Sequence, residues 1–466
     1  MIEALQFANY VFFYYYLAAN LFYLALLIRA LQGNRAHRRR LASLQLESLD
    51  DSPFTAPVSL IVPAYNEEET VVESVSALLQ IDYPDLELII VNDGSSDATL
   101  EKLSAYFDLR EVSRLYVARI PCSPVRRIFS SGVDRRMLVL DKANGGSKAD
   151  AVNAGINAAR SPYLCVIDAD SLLEPDALRR IMAESYSDAV PLVATGGIVR
   201  VLNGSRGRGS NLEVRVPRRP LEAAQVVEYL RSFLIGRAGW TSGNMLSIVS
   251  GAFGVFSREH VMQIGGFRNG SIGEDFDLVV RLHRRLLETG KPYRIRFVPE
   301  PTCWTQVPAD FRSLARQRAR WQNGLFDVLW RNRDMLFRPR YGRCGSVMLP
   351  FLWLFELAAP AIETLGYAAI VVAEAVGALR PLFFLEFLLF GYAFSTMISI
   401  GSVLLEEVTY RRYARAGDVA LLIGFCFVEH FPYRQLNMVW RLMGMWNFLR
   451  GKRTWKPIRR QAMAVR

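Results

Sequence analysis

An α/β domain with a largely parallel sheet, carried between α-helical transmembrane segments, is the architecture this sequence predicts, and three observations carry it. Ala4–Ile28 runs for 25 residues without a charge. From Ser52 to about Cys303, short apolar stretches alternate with amphipathic, helix-like ones. Beyond them come two long apolar runs, 346–373 and 381–405, and a third apolar region, 418–449.

The first stretch exceeds the roughly 20 residues that cross a bilayer as a helix. It begins Met1-Ile2-Glu3 rather than with a basic segment and has no small-residue cleavage site, so residues 1–31 are expected to stay as an anchor. Arg29, Arg35, Arg38, Arg39 and Arg40 follow it, and seven more Lys or Arg lie in 450–466. Neither cluster contains a carboxylate, and their twelve charges exceed the net +11 of the whole 466-residue chain. Basic residues confined to the ends of apolar segments mark the cytoplasmic side of a membrane. The middle of the chain carries no basic stripe, which excludes nucleic acid as an expected partner.

In 52–303, Val58–Pro63, Leu86–Val91 and Tyr163–Ile167 read as strands that alternate with helices, the pattern of a sheet covered on both faces. The Gly/Arg-rich stretch 203–210 reads as a surface loop. Residues 304–345 hold a basic, aromatic helix suited to the membrane interface. The region 346–450 is read as two spans followed by a helical hairpin turning near Pro432, which returns the basic tail 451–466 to the cytoplasm and makes five spans in all. Glu356 and Glu363 are seven apart, as are Arg434 and Arg441, so each pair is expected on one helical face, either lining a polar passage or forming interhelical ion pairs. The five cysteines and four histidines are scattered, which argues against a disulfide framework, a zinc site or a histidine-based metal centre.

The chemistry-bearing residues follow the strands. Pro63-Ala64-Tyr65-Asn66-Glu67 and Asn92-Asp93-Gly94-Ser95 stand where open α/β sheets bind ligands, with Tyr65 able to stack a base and Glu67 and Asp93 able to accept hydrogen bonds. Asp168-Ala169-Asp170 places two carboxylates on one side if the strand continues through them, a donor pair suited to Mg2+ or Mn2+. Gly273-Glu274-Asp275 opens an amphipathic helix, and Gln317-Arg318-Ala319-Arg320-Trp321 puts an amide, a fixed cation and an indole within five residues.

In this order the motifs resemble those of the membrane-integrated, inverting family-2 glycosyltransferases, which include the cellulose, hyaluronan, chitin and poly-N-acetylglucosamine synthases. The resemblance spans roughly Ser52 to Asn447 and rests on the order more than on any one motif. It implies a GT-A fold, the Rossmann-like nucleotide-diphospho-sugar transferase architecture. It also implies that Pro63, Tyr65, Glu67 and Asp93 bind the nucleoside, that Lys148 lies near the diphosphate, and that Asp168 and Asp170 hold the nucleotide and its Mg2+ or Mn2+. Glu274 and Asp275 would be the catalytic carboxylates, Asp275 the general base. Gln317, Arg320 and Trp321 would close over the diphosphate and form the acceptor site.

The function so implied is transfer of sugar from a UDP-sugar to a growing polysaccharide at the inner (plasma) membrane, coupled to export, with the lipid bilayer and export proteins as partners. The alternatives are single transfer onto a polyprenyl or other lipid-linked acceptor, and a non-catalytic partner in polysaccharide export.

Overall fold

A computed structural model describes residues 2–43, 55–186, 190–207, 212–378 and 381–452. The basic tail from 453 onward and residues 208–210 of the Gly/Arg-rich stretch lie outside the described residues. The chain divides into an α/β unit, Asn34–Glu213 with Asn244–Gln306, and a helical unit, Met1–Gly33 with Val214–Gly243 and Val307–Thr454.

The α/β unit is built on ten strands: β1 (Val58–Ala64), β2 (Leu86–Asn92), β3 (Leu109–Glu111), β4 (Val125–Ser131), β5 (Met137–Lys142), β6 (Tyr163–Ile167), β7 (Leu172–Leu173), β8 (Leu192–Val201), β9 (Phe253–Ser257) and β10 (Arg294–Thr305). They form one sheet in the order β3-β4-β5-β2-β1-β6-β9-β8-β10-β7. Leu60, Ile61 and Val62 of β1 and Leu88 to Val91 of β2 are fully buried, as expected of central strands covered on both faces.

The sheet is mixed rather than largely parallel. Pairings β1–β2, β1–β6, β2–β5 and β8–β10 are parallel, and the other five are antiparallel. Only five residues join β4 to β5, too few for the crossover that parallel strands require. β9 is antiparallel to both neighbours, β6 and β8. All ten residues of β8 are buried, and such a run looks the same in sequence whichever way its partner points.

The parallel run β5-β2-β1-β6 positions the site, because its four carboxyl ends, Lys142, Asn92, Ala64 and Ile167, fall on one edge. The helices Val71–Leu79, Thr99–Phe107 and Lys148–Ala158 start after the loops that leave that edge.

Helix Ile2–Ser43 runs through the charge-free stretch and on into the arginines. By length and composition, its Leu5–Arg39 portion can cross a membrane, and so can Leu389–Thr409. Cys344–Leu357 and Ala359–Ala375 reach that length only together, with a 46° bend between them. Pro360, in the first turn of the second piece, lacks the N–H that a continuous helix needs. Ala416–Val428 has 13 residues, about 20 Å of helix against the ~30 Å of a hydrocarbon core. Among the described residues, two helices are thus long and apolar enough to cross a membrane, or three if the bent pair is one span, against the five spans expected from the apolar runs.

Within the helical unit the seven-residue spacings match each other. Arg434 pairs with Glu363 at 3.1 Å and Arg441 with Glu356 at 3.4 Å, so helix Tyr433–Leu449 answers carboxylates that the bend places on two different pieces. Glu429 pairs with Arg231 and accepts from Ser399 Oγ at 2.6 Å. Val214–Gly243, which lies inside 52–303, clusters with this unit through that pair and through Gln225 Nε2, which donates to the Pro308 carbonyl at 2.9 Å.

Candidate active site

At the carboxyl edge, the loops after β1 and β2 are laced to each other. Asn66 takes a left-handed backbone (φ 56°), its N–H donates to Ser95 Oγ at 3.0 Å, and its Oδ1 accepts from the Ser96 N–H at 2.8 Å. The Glu67 N–H donates to Thr99 Oγ1 at 2.9 Å, while Glu68 accepts from the Ala98 N–H at 3.1 Å. Between these anchors the Tyr65 ring stands exposed at 39%. Pro63 is still within β1, paired with Val91 of β2.

Asp93 follows β2 and is 5% exposed. Lys142, the last residue of β5 and fully buried, pairs with it and with Asp150, the latter at 2.6 Å. The Gly145 N–H also donates to Asp93 Oδ1, at 3.1 Å. Burial pushes the Asp93 carboxyl above its usual range, against the pull of Lys142. Gly94 has φ 63°, and a Cβ there would stand 2.7 Å from the Asn144 nitrogen, so the two loops approach as closely as they do only with glycine at this turn.

Asp168-Ala169-Asp170 is a turn and not a continuation of the strand: β6 stops at Ile167, and the Ser171 N–H donates to the Asp168 carbonyl at 3.0 Å. The alternation of an extended strand therefore does not apply to these two residues, which stand on a turn after β6. Lys148, at the start of helix Lys148–Ala158, bonds Asp168 Oδ1 and donates to the Gly251 carbonyl at 2.8 Å. The Gly251 N–H in turn donates to Asp275 Oδ2 at 3.1 Å. Burial alone would lower the Lys148 pKa, but the charges of Asp168, Glu274 and Asp275 outweigh it and hold the ammonium above the usual lysine value.

Helix Glu274–Thr289 begins with three carboxylates in its first turn, Glu274, Asp275 and Asp277, where the helix dipole favours negative charge. Asp277 is fully buried and bonded by Arg281 at 2.7 Å, and Arg281 also holds the Ile264 carbonyl. That fixes the helix start against the preceding turn and leaves Asp275, which also accepts from the Phe276 N–H at 2.8 Å, pointing toward Gly251.

Asp168 and Asp170 offer hard oxygen donors on a single turn, and Asp170 is buried to 9% exposure. No cluster of three His, Cys, Asp or Glu suited to a metal occurs among the described residues. The donor set thus fits Mg2+ or Mn2+ only with oxygens from a diphosphate and water completing the shell.

Gln317, Arg320 and Trp321 lie in the helical unit, on helix Phe311–Arg331, whose N-cap Asp310 accepts from the Ser313 N–H at 2.8 Å. Among the described residues, Arg320 has no ion-pair or hydrogen-bond partner and the buried Gln317 Oε1 has none either. Trp321 is 44% exposed, with the Arg318 guanidinium 4.3 Å from its ring centroid.

Lys142, Asp150, Gly251 and Arg318 did not stand out in the sequence. Lys142 had one available signal, a lysine that closes a strand after the apolar run Met137–Leu140 and Asp141, and Arg318 had its place inside the Gln317–Trp321 motif. Gly251 had none.

Residues 56–324 match a protein-family model described as "Glycosyltransferase like family 2". The chain is 27% identical over 304 residues to a poly-beta-1,6-N-acetyl-D-glucosamine synthase of Staphylococcus aureus (strain COL), covering 64% of this chain and 62% of that protein. It is 29% identical over 275 residues to a synthase of the same name from Staphylococcus epidermidis, covering 59% of this chain and 56% of that one. It thus spans about three-fifths of the length of these curated relatives. Among solved structures, a mannosyltransferase from Pyrobaculum calidifontis in complex with GDP-Man and Mn2+ aligns over 92% of this chain and 99% of its own, with TM-score 0.52 and 18% identity.

Proposed function

The chain belongs to the family-2 glycosyltransferases and has the GT-A fold, and from this premise we propose that it transfers sugar from a UDP-sugar to a growing polysaccharide, inverting the anomeric carbon. The observation that supports this best is the bonded series Asp168–Lys148–Gly251–Asp275, which joins a carboxylate, a cation and a candidate base at the strand ends.

In this mechanism Asp275 takes the proton of the acceptor hydroxyl, for which its carboxylate must come within about 3 Å of that oxygen. The oxygen attacks the anomeric carbon from the face opposite the diphosphate, the C–O bond to the diphosphate breaks, and its electron pair leaves with UDP. An α-linked donor gives a β-linked product. The two backbone N–H groups on Asp275 fix its rotamer, and each of its oxygens keeps a further lone pair.

Lys148 supplies positive charge at the diphosphate, and Arg320, which has no ion-pair or hydrogen-bond partner among the described residues, is the second cation that the motif order assigns to it. Asp168 and Asp170 would hold Mg2+ or Mn2+, which when bound neutralises charge on the departing diphosphate. Tyr65 stacks the base, with Pro63, Glu67 and Asp93 lining the nucleoside, and Trp321 and Gln317 meet the acceptor. The arginines in the C-terminal part of the first helix mark the cytoplasmic side of the plasma membrane as the side of catalysis, with the bilayer and export proteins as partners.

The printed names of the relatives put UDP-N-acetylglucosamine first in a test panel. Purified protein incubated with radiolabelled UDP-sugars is expected to give a high-molecular-weight ladder from one of them. A single chloroform-soluble product would instead favour transfer to a lipid carrier, and no transfer from any UDP-sugar would overturn both.

A further inference from the structure

Arg318 occupies one of the two unassigned places between Gln317 and Trp321, yet it is the buried member of that motif. It is 2% exposed, whereas Trp321, three residues on and therefore on the same face, is 44% exposed. Its NH2 donates to Glu228 Oε2 at 2.8 Å, and the same oxygen accepts from the Tyr433 hydroxyl at 2.6 Å. Glu228 comes from helix Pro220–Leu230 and Tyr433 opens helix Tyr433–Leu449, so three separate helices converge on one guanidinium. The other side of that group stacks at 4.3 Å on the Trp321 ring.

A buried arginine is costly unless paired, and an apolar side chain would fill this space without that cost. An exposed indole samples several rotamers, and a cation fixed over its face selects one. Arg320, two residues on and so toward the opposite side of the helix, contrasts with it in having no ion-pair or hydrogen-bond partner among the described residues. The two arginines of the motif are thus divided between a structural pair and an open cation.

We propose that Arg318 is a positioning residue for the acceptor site: pinned by Glu228, it covers one face of Trp321 and sets the ring so that its other face meets the pyranose at the acceptor end. This rests on the reading of Trp321 as an acceptor contact. It adds Arg318, Glu228 and Tyr433 as the device that orients it.

The test uses the full chain in lipid nanodiscs, with UDP-N-acetylglucosamine as donor, or the UDP-sugar from the panel that transfers, and an N-acetylglucosamine pentamer as acceptor. Wild type is compared with Trp321→Ala, with Arg318→Lys, and with the double variant Arg318→Met, Glu228→Met. The double variant replaces the ion pair by apolar groups and so keeps the fold.

The double variant and Trp321→Ala are each expected to raise the acceptor KM about tenfold, with donor KM within about twofold of wild type, and Arg318→Lys to raise it only about threefold. Combining the double variant with Trp321→Ala is expected to add nothing further, because both act through one ring. An acceptor KM for the double variant within about twofold of wild type, a matching rise in donor KM, or a full additive effect in the Trp321→Ala background overturns the proposal. Absence of acceptor-dependent transfer by the wild type with every donor overturns the acceptor reading itself, and that arm is read without any variant.

Discussion

Asp275 and Lys148 are held by the two backbone groups of one residue: the Gly251 N–H donates to Asp275 Oδ2 at 3.1 Å, and the Gly251 carbonyl accepts from Lys148 Nζ at 2.8 Å. A carboxylate proposed as the base and a cation that share a single peptide segment cannot drift apart independently. Their separation is set by backbone geometry, and backbone reorganises less than side chains do.

Substitution at Gly251 tests this. A Cβ there would lie 3.2 Å from Lys148 Nζ and 3.5 Å from Asp275 Oδ2. Gly251→Ala is expected to fold and to lose activity modestly, since the lysine tip can shift by a few tenths of an ångström. Gly251→Val displaces both groups, and kcat is expected to fall by about 10- to 100-fold with the thermal midpoint nearly kept. Turnover and melting curves measured together check it.

Lys142 neutralises two buried carboxylates, Asp93 and Asp150. Lys142→Met leaves both without their cation, and the expected loss of stability is about 3–5 kcal/mol. Denaturant unfolding of the detergent-solubilised protein measures it. Adding Asp93→Asn is expected to recover part of the loss, because one of the stranded charges is then removed.

The parts of the site visible in the sequence were side chains with distinctive chemistry at a recognisable place: Asp93 and Asp168 just after apolar strands and Asp275 at the start of an amphipathic helix. Gly251 was not visible, because its contribution is an N–H, a carbonyl and an absent Cβ, none of which sets it apart from Gly243 or Gly254. The Asp168–Asp170 motif was read as the continuation of a strand, whereas β6 ends at Ile167 and the motif forms a turn, because a polar Asp-x-Asp after an apolar run looks the same in sequence either way. The direction of β9 was also hidden, because burial on both faces erases the alternation that distinguishes strand settings. In the helical unit, long apolar helices are fewer among the described residues than apolar runs in the sequence, because Pro360 bends one run and the last region divides near Pro432 into helices of 13 and 17 residues. The ion pairs, by contrast, were half written in the matching seven-residue spacings.

His283 gives a pH dependence. It is fully buried, with Nε2 2.8 Å from the Leu246 carbonyl and Nδ1 2.7 Å from the Tyr293 hydroxyl, so the neutral ring donates from Nε2 and accepts at Nδ1. Burial lowers its pKa to about 4. The unfolded chain, titrating near 6.5, binds the proton more readily between those values. The contribution is therefore complete above about pH 6.5 and falls as pH drops toward 4, by at most about 1.4 kcal/mol per unit. His283→Gln is expected to flatten that part of the curve, as read from the difference in thermal midpoints at pH 7 and pH 5.

Glu363 and Arg434 pair between helices at 3.1 Å. Glu363→Met is expected to destabilise the protein by roughly 1–2 kcal/mol, and Arg434→Met added to it to restore most of the loss. A double-mutant cycle on thermal midpoints in one lipid composition measures the coupling. Additive losses would show that the pair is not an interhelical contact.

The most direct measurement is UDP release by wild type and Asp275→Asn across a panel of UDP-sugars. Asparagine is isosteric and its one carbonyl oxygen can still accept from either the Gly251 or the Phe276 N–H, which Asp275 meets with separate oxygens, so the base is removed at the cost of one hydrogen bond, and a melting curve checks that the fold is kept. The expected result is release from at least one UDP-sugar by wild type and a fall of about 10²- to 10⁴-fold in kcat for Asp275→Asn, with donor KM little changed. An undiminished rate in Asp275→Asn would contradict the assignment of Asp275 as the base of an inverting transfer.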